Sequence, residues 1–315
     1  MQSLGELVSD PTTFMGVPHT QDLSGAKAAI LGIPFDCGVH PFRIGSRQGP
    51  QAIREQSKLM RPYNPELSDY NPMQRLGLVD CGDVRLTPGR IPDAFEKTAA
   101  TLERIVARDV VPIAMGGDGS VSHPALRVIG RKHPGLAVIH LDSHTDTTPP
   151  VPGNEYNAGT QFHYAAVERW IDPAASYHIG IRGTTYLPGG FPRTRALGYG
   201  NIITLNALLD RGIPAVLKQL QAALKGRPVY LCVDMDVFDP SCAPGVCAPS
   251  WGGLTAREGL AIVRGLAGLD VVAADINTVS PPHDVMGMTA FLAAALIYEV
   301  LVVLCRYRAL DTPDA

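Results

Sequence analysis

A chain of 315 residues, 45% hydrophobic and 18% charged, can bury a large core, and a net charge of −3 excludes a basic field for nucleic acid. No polybasic patch points to a membrane surface, so a small molecule or another protein is the expected partner. The length would suit two domains, but no low-complexity linker, charge run or internal repeat divides the sequence, and residues 1–315 read as one domain.

The opening segment, MQSLGELVSDPTTFMGVPHT, has no charged stretch followed by an apolar one, so a secretory signal is not expected. A first strand is expected at 27–35 (KAAILGIPF), then a helix at 49–60, a strand at 76–82 and a helix at 91–108. Strands follow at 110–116 (VVPIAMG) and 136–142 (LAVIHLD), with a helix at 122–133 between them. Further strands are expected at 176–182, 201–205, 228–234 and 269–276, with helices at 214–226 and 255–268. The run TAFLAAALIYEVLVVLC (289–305) contains Glu299 and is slightly short for a membrane span, so it reads as a buried core helix.

Hydrophobicity in the strands is continuous rather than alternating, which means burial on both faces. Strand–helix alternation then predicts an α/β fold with a parallel sheet covered by helices on both sides. The six cysteines (Cys37, Cys81, Cys232, Cys242, Cys247, Cys305) lack CxxC spacing and read as free thiols in a reducing, cytoplasmic compartment.

Ligands in such sheets bind beyond the carboxyl ends of the strands. Asp142, His144 and Asp146 follow the strand LAVIHLD, while Asp234 and Asp236 stand at the end of PVYLCVD. GGDGS (116–120) follows VVPIAM, and DINTVSPPHD (275–284) follows LDVVAA. Four strand ends are thus expected to bring carboxylates and an imidazole to one rim. Two ligand-type residues two apart at a strand end can point to the same side. Oxygen-rich ligation with one or two imidazoles suits Mn²⁺, Ni²⁺ or Fe²⁺ better than a structural Zn²⁺ site. A single Asp is more often a helix cap or turn acceptor, but five ligand-type residues on two strand ends outweigh that alternative.

The segments ILGIPFDCG, GSRQGPQAIR, RPYNPE, GGDGS, HLDSHTDT, IGIRG, VDMDVFDPSCAPG, GGLT and VSPPHD, in this order, resemble the ureohydrolase family of arginases and agmatinases. The resemblance implies a three-layer α/β/α arginase-like fold with a mostly parallel sheet, assembled as trimers or hexamers. It also implies guanidine hydrolysis by a hydroxide bridging two Mn²⁺ or Ni²⁺ ions, with Asp142, His144, Asp146, Asp234 and Asp236 as metal ligands.

Departures from the family pattern are as telling. Gly119 stands where the family's GGDHS motif has a sixth ligand, a histidine that serves one ion with Asp142, Asp146 and Asp234. The other ion would keep Asp142, His144, Asp234 and Asp236. Ala158 stands where YNHGT has a proton-handling or substrate-orienting histidine. Thr278 stands where VEVSP has a glutamate that anchors the guanidinium. Val246, Ala248 and Ser250 replace further polar groups. At most one Mn or Ni ion per chain is therefore expected, and restoring histidine at 119 alone is expected to rebuild metal binding without much activity.

Among nearby histidines, His123 lies one helical turn (about 5.4 Å) too far along to replace the lost ligand. His40, His163 and His283 are expected in rim loops, and His133, His140 and His178 as structural residues. Three readings follow. The first is a non-catalytic subunit that assembles with a catalytic paralogue, like the auxiliary subunit of a heteromeric metformin-type biguanide hydrolase. The second is an active agmatinase-like amidinohydrolase on an unusual guanidine. The third is a homo-oligomeric binding protein with one metal or none.

Overall fold

A computed structural model describes residues 11–37, 42–185 and 188–312. His40 lies outside the described residues. All eight expected strands form: β1 (Ala28–Gly32), β2 (Val79–Asp83), β3 (Val111–Met115), β4 (Ala137–Leu141), β5 (Tyr177–Ile181), β6 (Asn201–Thr204), β7 (Pro228–Asp234) and β8 (Asp270–Asn277). They make one sheet in the order β2-β1-β3-β8-β7-β4-β5-β6, and every pairing is parallel.

The helices are α1 (Gly49–Ser57), α2 (Pro72–Leu76), α3 (Ile91–Val106), α4 (Ser122–Lys132), α5 (Gln161–Val167), α6 (Gly190–Ala196), α7 (Leu205–Arg211), α8 (Ile213–Leu224), α9 (Ala256–Arg264) and α10 (Met288–Tyr307). Side chains alternate across the sheet and build two cores. Ala137, Ile139 and Leu141 face the core shared with α1, α2 and α7–α10, whereas Val138 faces the core shared with α3–α5. The result is the α/β/α sandwich expected from the sequence. Leu205, expected at the end of a strand, instead opens α7, because the Thr204 hydroxyl accepts a hydrogen bond from Ala207 N at 3.2 Å and caps the helix.

The apolar run near the C-terminus is α10. By length and composition it could cross a membrane, but it lies buried against α1, α2, α9 and β8. Glu299 within it receives two hydrogen bonds from Arg264 of α9, at 2.6 and 3.1 Å, which offset the cost of burying its carboxylate.

Candidate metal centre

The centre sits where β3, β8, β7 and β4 end, side by side in the middle of the sheet. Register levels those ends: Met115 pairs with Ile276, Asp234 with Asn277, and Leu141 with Val233. The turns that follow therefore carry Gly119, Thr278, Asp234–Asp236 and Asp142–Asp146 to one rim. Asp146 (φ 49°) and Thr278 (φ 65°) both adopt the left-handed backbone region. A β-branched residue there is a strained outlier, and such strain tends to collect at functional sites.

Donor atoms of Asp142, His144 and Asp236 all lie within 4.8 Å of one another. A second group of equal compactness comprises His140, Asp142 and Asp146, so Asp142 is common to both. His144 Nδ1 is 3.0 Å from Asp236 Oδ2, and the Ser143 amide donates to Asp236 Oδ1 at 2.9 Å. The His144 amide donates to Asp142 Oδ1 at 2.5 Å. Gly183 is required beside it, since a Cβ there would stand 2.3 Å from His144 Nε2. Asp234 joins neither group. Its Oδ1 accepts from the Thr278 hydroxyl at 2.5 Å and from the Asp236 amide at 2.8 Å. Gln161 Nε2 donates to Asp146 Oδ2 at 2.6 Å.

Electrostatics divides the cluster. Burial, reinforced by neighbouring carboxylates, raises Asp142, Asp146 and Asp234 above the usual carboxylate range. Burial also opposes a charged His144, but Asp236 and Asp142 outweigh it and push this imidazole up to about 12. Asp236 moves the other way: burial would raise it, yet the His144 charge holds it down at about 2. His144 and Asp236 thus form an imidazolium–carboxylate pair, while the other three carboxyls take up protons readily.

Asp142, His144 and Asp236 fit one divalent cation, a compact oxygen-rich set with one imidazole whose proton would leave as the ion entered. The set expected around this ion also includes Asp234, whose Oδ1 accepts from the Thr278 hydroxyl. The second place fits less well. Gly119 offers no donor, and Asp146 already accepts the Gln161 amide.

His140 lies buried in β4, as expected of a structural strand residue, and it also reaches the edge of the centre. Its Nε2 lies 2.8 Å from Asp142 Oδ2, although neither atom makes a well-aligned hydrogen bond, and its Nδ1 is 2.9 Å from His178 Nδ1. The spacing 138, 140, 142 on one side of a strand was the signal that could have placed it there. Gln161 carried no such signal. His163 lies in α5 rather than in a rim loop. His283 pairs with the Ser280 hydroxyl at 2.9 Å. His123 stacks on Phe95 and is boxed by Tyr156, Tyr164 and Trp170.

Arg182 organises the rim from below. Its Nη2 donates to the carbonyls of Asp236, Phe238 and Ser250, and its Nε to that of Trp251. A depression of about 410 Å³ between Gly89–Asp93 and Gly153–Tyr156 contains none of the candidate ligands. The six cysteines are free, and Cys242 and Cys247 have separate partners, the Asp239 carbonyl and the Ser46 hydroxyl.

Comparison with known proteins agrees with this architecture. Guanidinopropionase of Pseudomonas aeruginosa is 35% identical over 93% of this chain and 91% of its own length. The mitochondrial agmatinase of Gallus gallus is 33% identical over 95% and 88%. The solved structure of proclavaminate amidino hydrolase from Streptomyces clavuligerus superposes with a TM-score of 0.90 at 35% identity, covering 95% of this chain and 98% of that one. Residues 26–303 match the arginase family, and the chain belongs to that family.

Proposed function

We propose that this chain is an arginase-family subunit whose own centre holds at most one Mn or Ni ion and which depends on a catalytic subunit of the same fold. The substrate class is a guanidine or biguanide, of metformin type, and the assembly is a trimer or hexamer. One observation carries the reading. At the position where an anchoring carboxylate is expected, the Thr278 hydroxyl is turned onto Asp234 and donates to it at 2.5 Å. The hydroxyl that stands in place of the cation-anchoring carboxylate is thus engaged with Asp234. Gly119 and Ala158 remove two imidazoles from the same rim.

A bound divalent ion supplies a water acidic enough to ionise near neutral pH. Asp142, His144 and Asp236 would hold it, with the Ser143 amide and Arg182 fixing the Asp236 turn. Ala158 and Thr278 themselves can supply neither the proton carrier nor the charged cation anchor.

The second reading is an active amidinohydrolase on an unusual guanidine, and the relatives support it more directly than they support the first. Those compared above carry enzyme names, guanidinopropionase, agmatinase and proclavaminate amidino hydrolase. The compact Asp142–His144–Asp236 group is also what such an enzyme would retain.

One experiment separates the two. The purified chain, loaded with Mn²⁺ or Ni²⁺, is assayed for urea or amine release from agmatine, 3-guanidinopropionate and metformin, alone and after co-expression with an intact paralogue. The expected result is activity only in the co-expressed assembly. That activity should survive Asp234→Asn here and be lost on the same change in the paralogue. Steady turnover by the chain alone would overturn the first reading in favour of the second.

A further inference from the structure

Gly119 leaves a space, and another side chain occupies it. Gln161 opens α5 and is 1% exposed. Its Nε2 donates to Asp146 Oδ2 at 2.6 Å. A Cβ added at 119 would stand 3.0 Å from that Nε2, 3.1 Å from the Ala158 carbonyl oxygen and 3.5 Å from Asp146 Oδ2. Any side chain at 119 would therefore point into the contact between Gln161 and Asp146. The other end of the amide, Oε1, is buried without a hydrogen-bond partner. An apolar side chain would fill the same volume without that cost, so space filling alone does not account for an amide here.

We infer that Gln161 is an internal stand-in for the second metal ion: its amide NH₂ caps Asp146 in the ion's place and bars the position from a ligand at 119. The inference rests on the reading that the chain holds at most one ion, and it says what closes the second place. Asp146 is a half-buried carboxyl beside Asp142, and the amide protons supply the partial positive charge a cation would bring. The glycine and the glutamine then form a coupled pair. Histidine restored at 119 alone meets the Gln161 amide, which must give way before the imidazole reaches an ion beside Asp146.

The test counts metal and needs no turnover. The unmodified chain, Gly119→His, Gln161→Met and the double variant are stripped with chelator and titrated with MnCl₂. Bound metal is measured by elemental analysis and calorimetry, and melting is followed with and without Mn²⁺. Methionine is close to glutamine in volume and lacks the donor.

The unmodified chain and Gly119→His should each hold at most one ion. The double variant should take up a further ion with an affinity at least about 10–100-fold above any residual second-site binding of Gly119→His, whose second place stays unfilled in the same titration. Gln161→Met should melt lower than the unmodified chain without metal and regain more of that loss with Mn²⁺. If the double variant does not fold, Gln161→Glu replaces it. A carboxylate facing Asp146 should lower metal-free melting and increase Mn²⁺ uptake.

Uptake of the further ion by Gly119→His alone would overturn the inference, as would a folded double variant or Gln161→Glu that gains no binding. Two ions in the unmodified chain, one of them lost in Gln161→Met, would make the amide oxygen a ligand instead. The count in the unmodified chain tests the one-ion reading. The difference between single and double variants tests Gln161, and catalysis by the chain alone alters neither result.

Discussion

Replacing Arg182 with lysine should loosen the metal-ligand turn and the rim loop together. The guanidinium spans carbonyls of two segments: Asp236 and Phe238 at 2.9 and 3.1 Å, and Ser250 and Trp251 at 2.7 and 3.2 Å. A lysine presents three donors from one atom and cannot bridge both segments with the geometry of the fork. Two hydrogen bonds from a charged donor are lost, each worth about 1.5–3 kcal/mol. Water can replace part of the bond at exposed Trp251, so the net loss should be about 2–4 kcal/mol. Urea denaturation of the metal-free chain reads this directly, and calorimetry should show Mn²⁺ binding about 10–100-fold weaker as the Asp236 turn relaxes. A loss under about 0.5 kcal/mol, the size of an ordinary surface substitution, with unchanged Mn²⁺ affinity would refute the reasoning.

Arg264→Leu should destabilise the chain by about 3 kcal/mol, the lower end for a broken buried pair because Arg264 is partly exposed. Adding Glu299→Leu should recover most of that loss in the same denaturation assay, and a double variant as weak as the single one would count against the pairing. Metal-free melting should also fall as the pH rises from about 7 to about 9, above the range in which the depressed His123, His140 and His178 act in the opposite sense. Raised carboxyls such as Asp142, Asp146 and Asp234 stabilise fully below 3.8 and lose that contribution as the pH climbs through their folded values. His144 acts in the same sense, its contribution complete below 6.5 and lost on the way to about 12. Asp236 loses its own contribution only as the pH falls toward about 2, outside this window. Scanning calorimetry with and without Mn²⁺ checks the trend, since the cation should narrow the gap; melting that rises with pH would refute it.

The strands were legible because burial on both faces leaves continuous apolar runs, and Ala28–Gly32 or Ala137–Leu141 could be little else. The short helices α2, α5, α6 and α7 were not, since five to seven residues hold too little periodicity to read. At the centre, the strand-end carboxylates were visible as a motif, together with the gap at Gly119. The filling of that gap was not. Gln161 and Asp146 meet across a turn of 15 residues, and no local pattern marks an amide as the partner of a half-buried acid.

The place of β8 carries a further consequence. It is the last strand in the chain, yet it lies in the middle of the sheet, between β3 and β7. During synthesis the first seven strands emerge as two part-sheets, β2-β1-β3 and β7-β4-β5-β6, that share no strand pairing until residues 270–277 arrive. Until then β3 and β7 each present an unpaired apolar edge, the kind of surface that recruits other chains. Asp142, His144 and Asp236 all hang from the β7-β4 part-sheet, so the set that fits one ion needs no contribution from β8, whereas Gly119 and Thr278 join the rim only when the last strand docks.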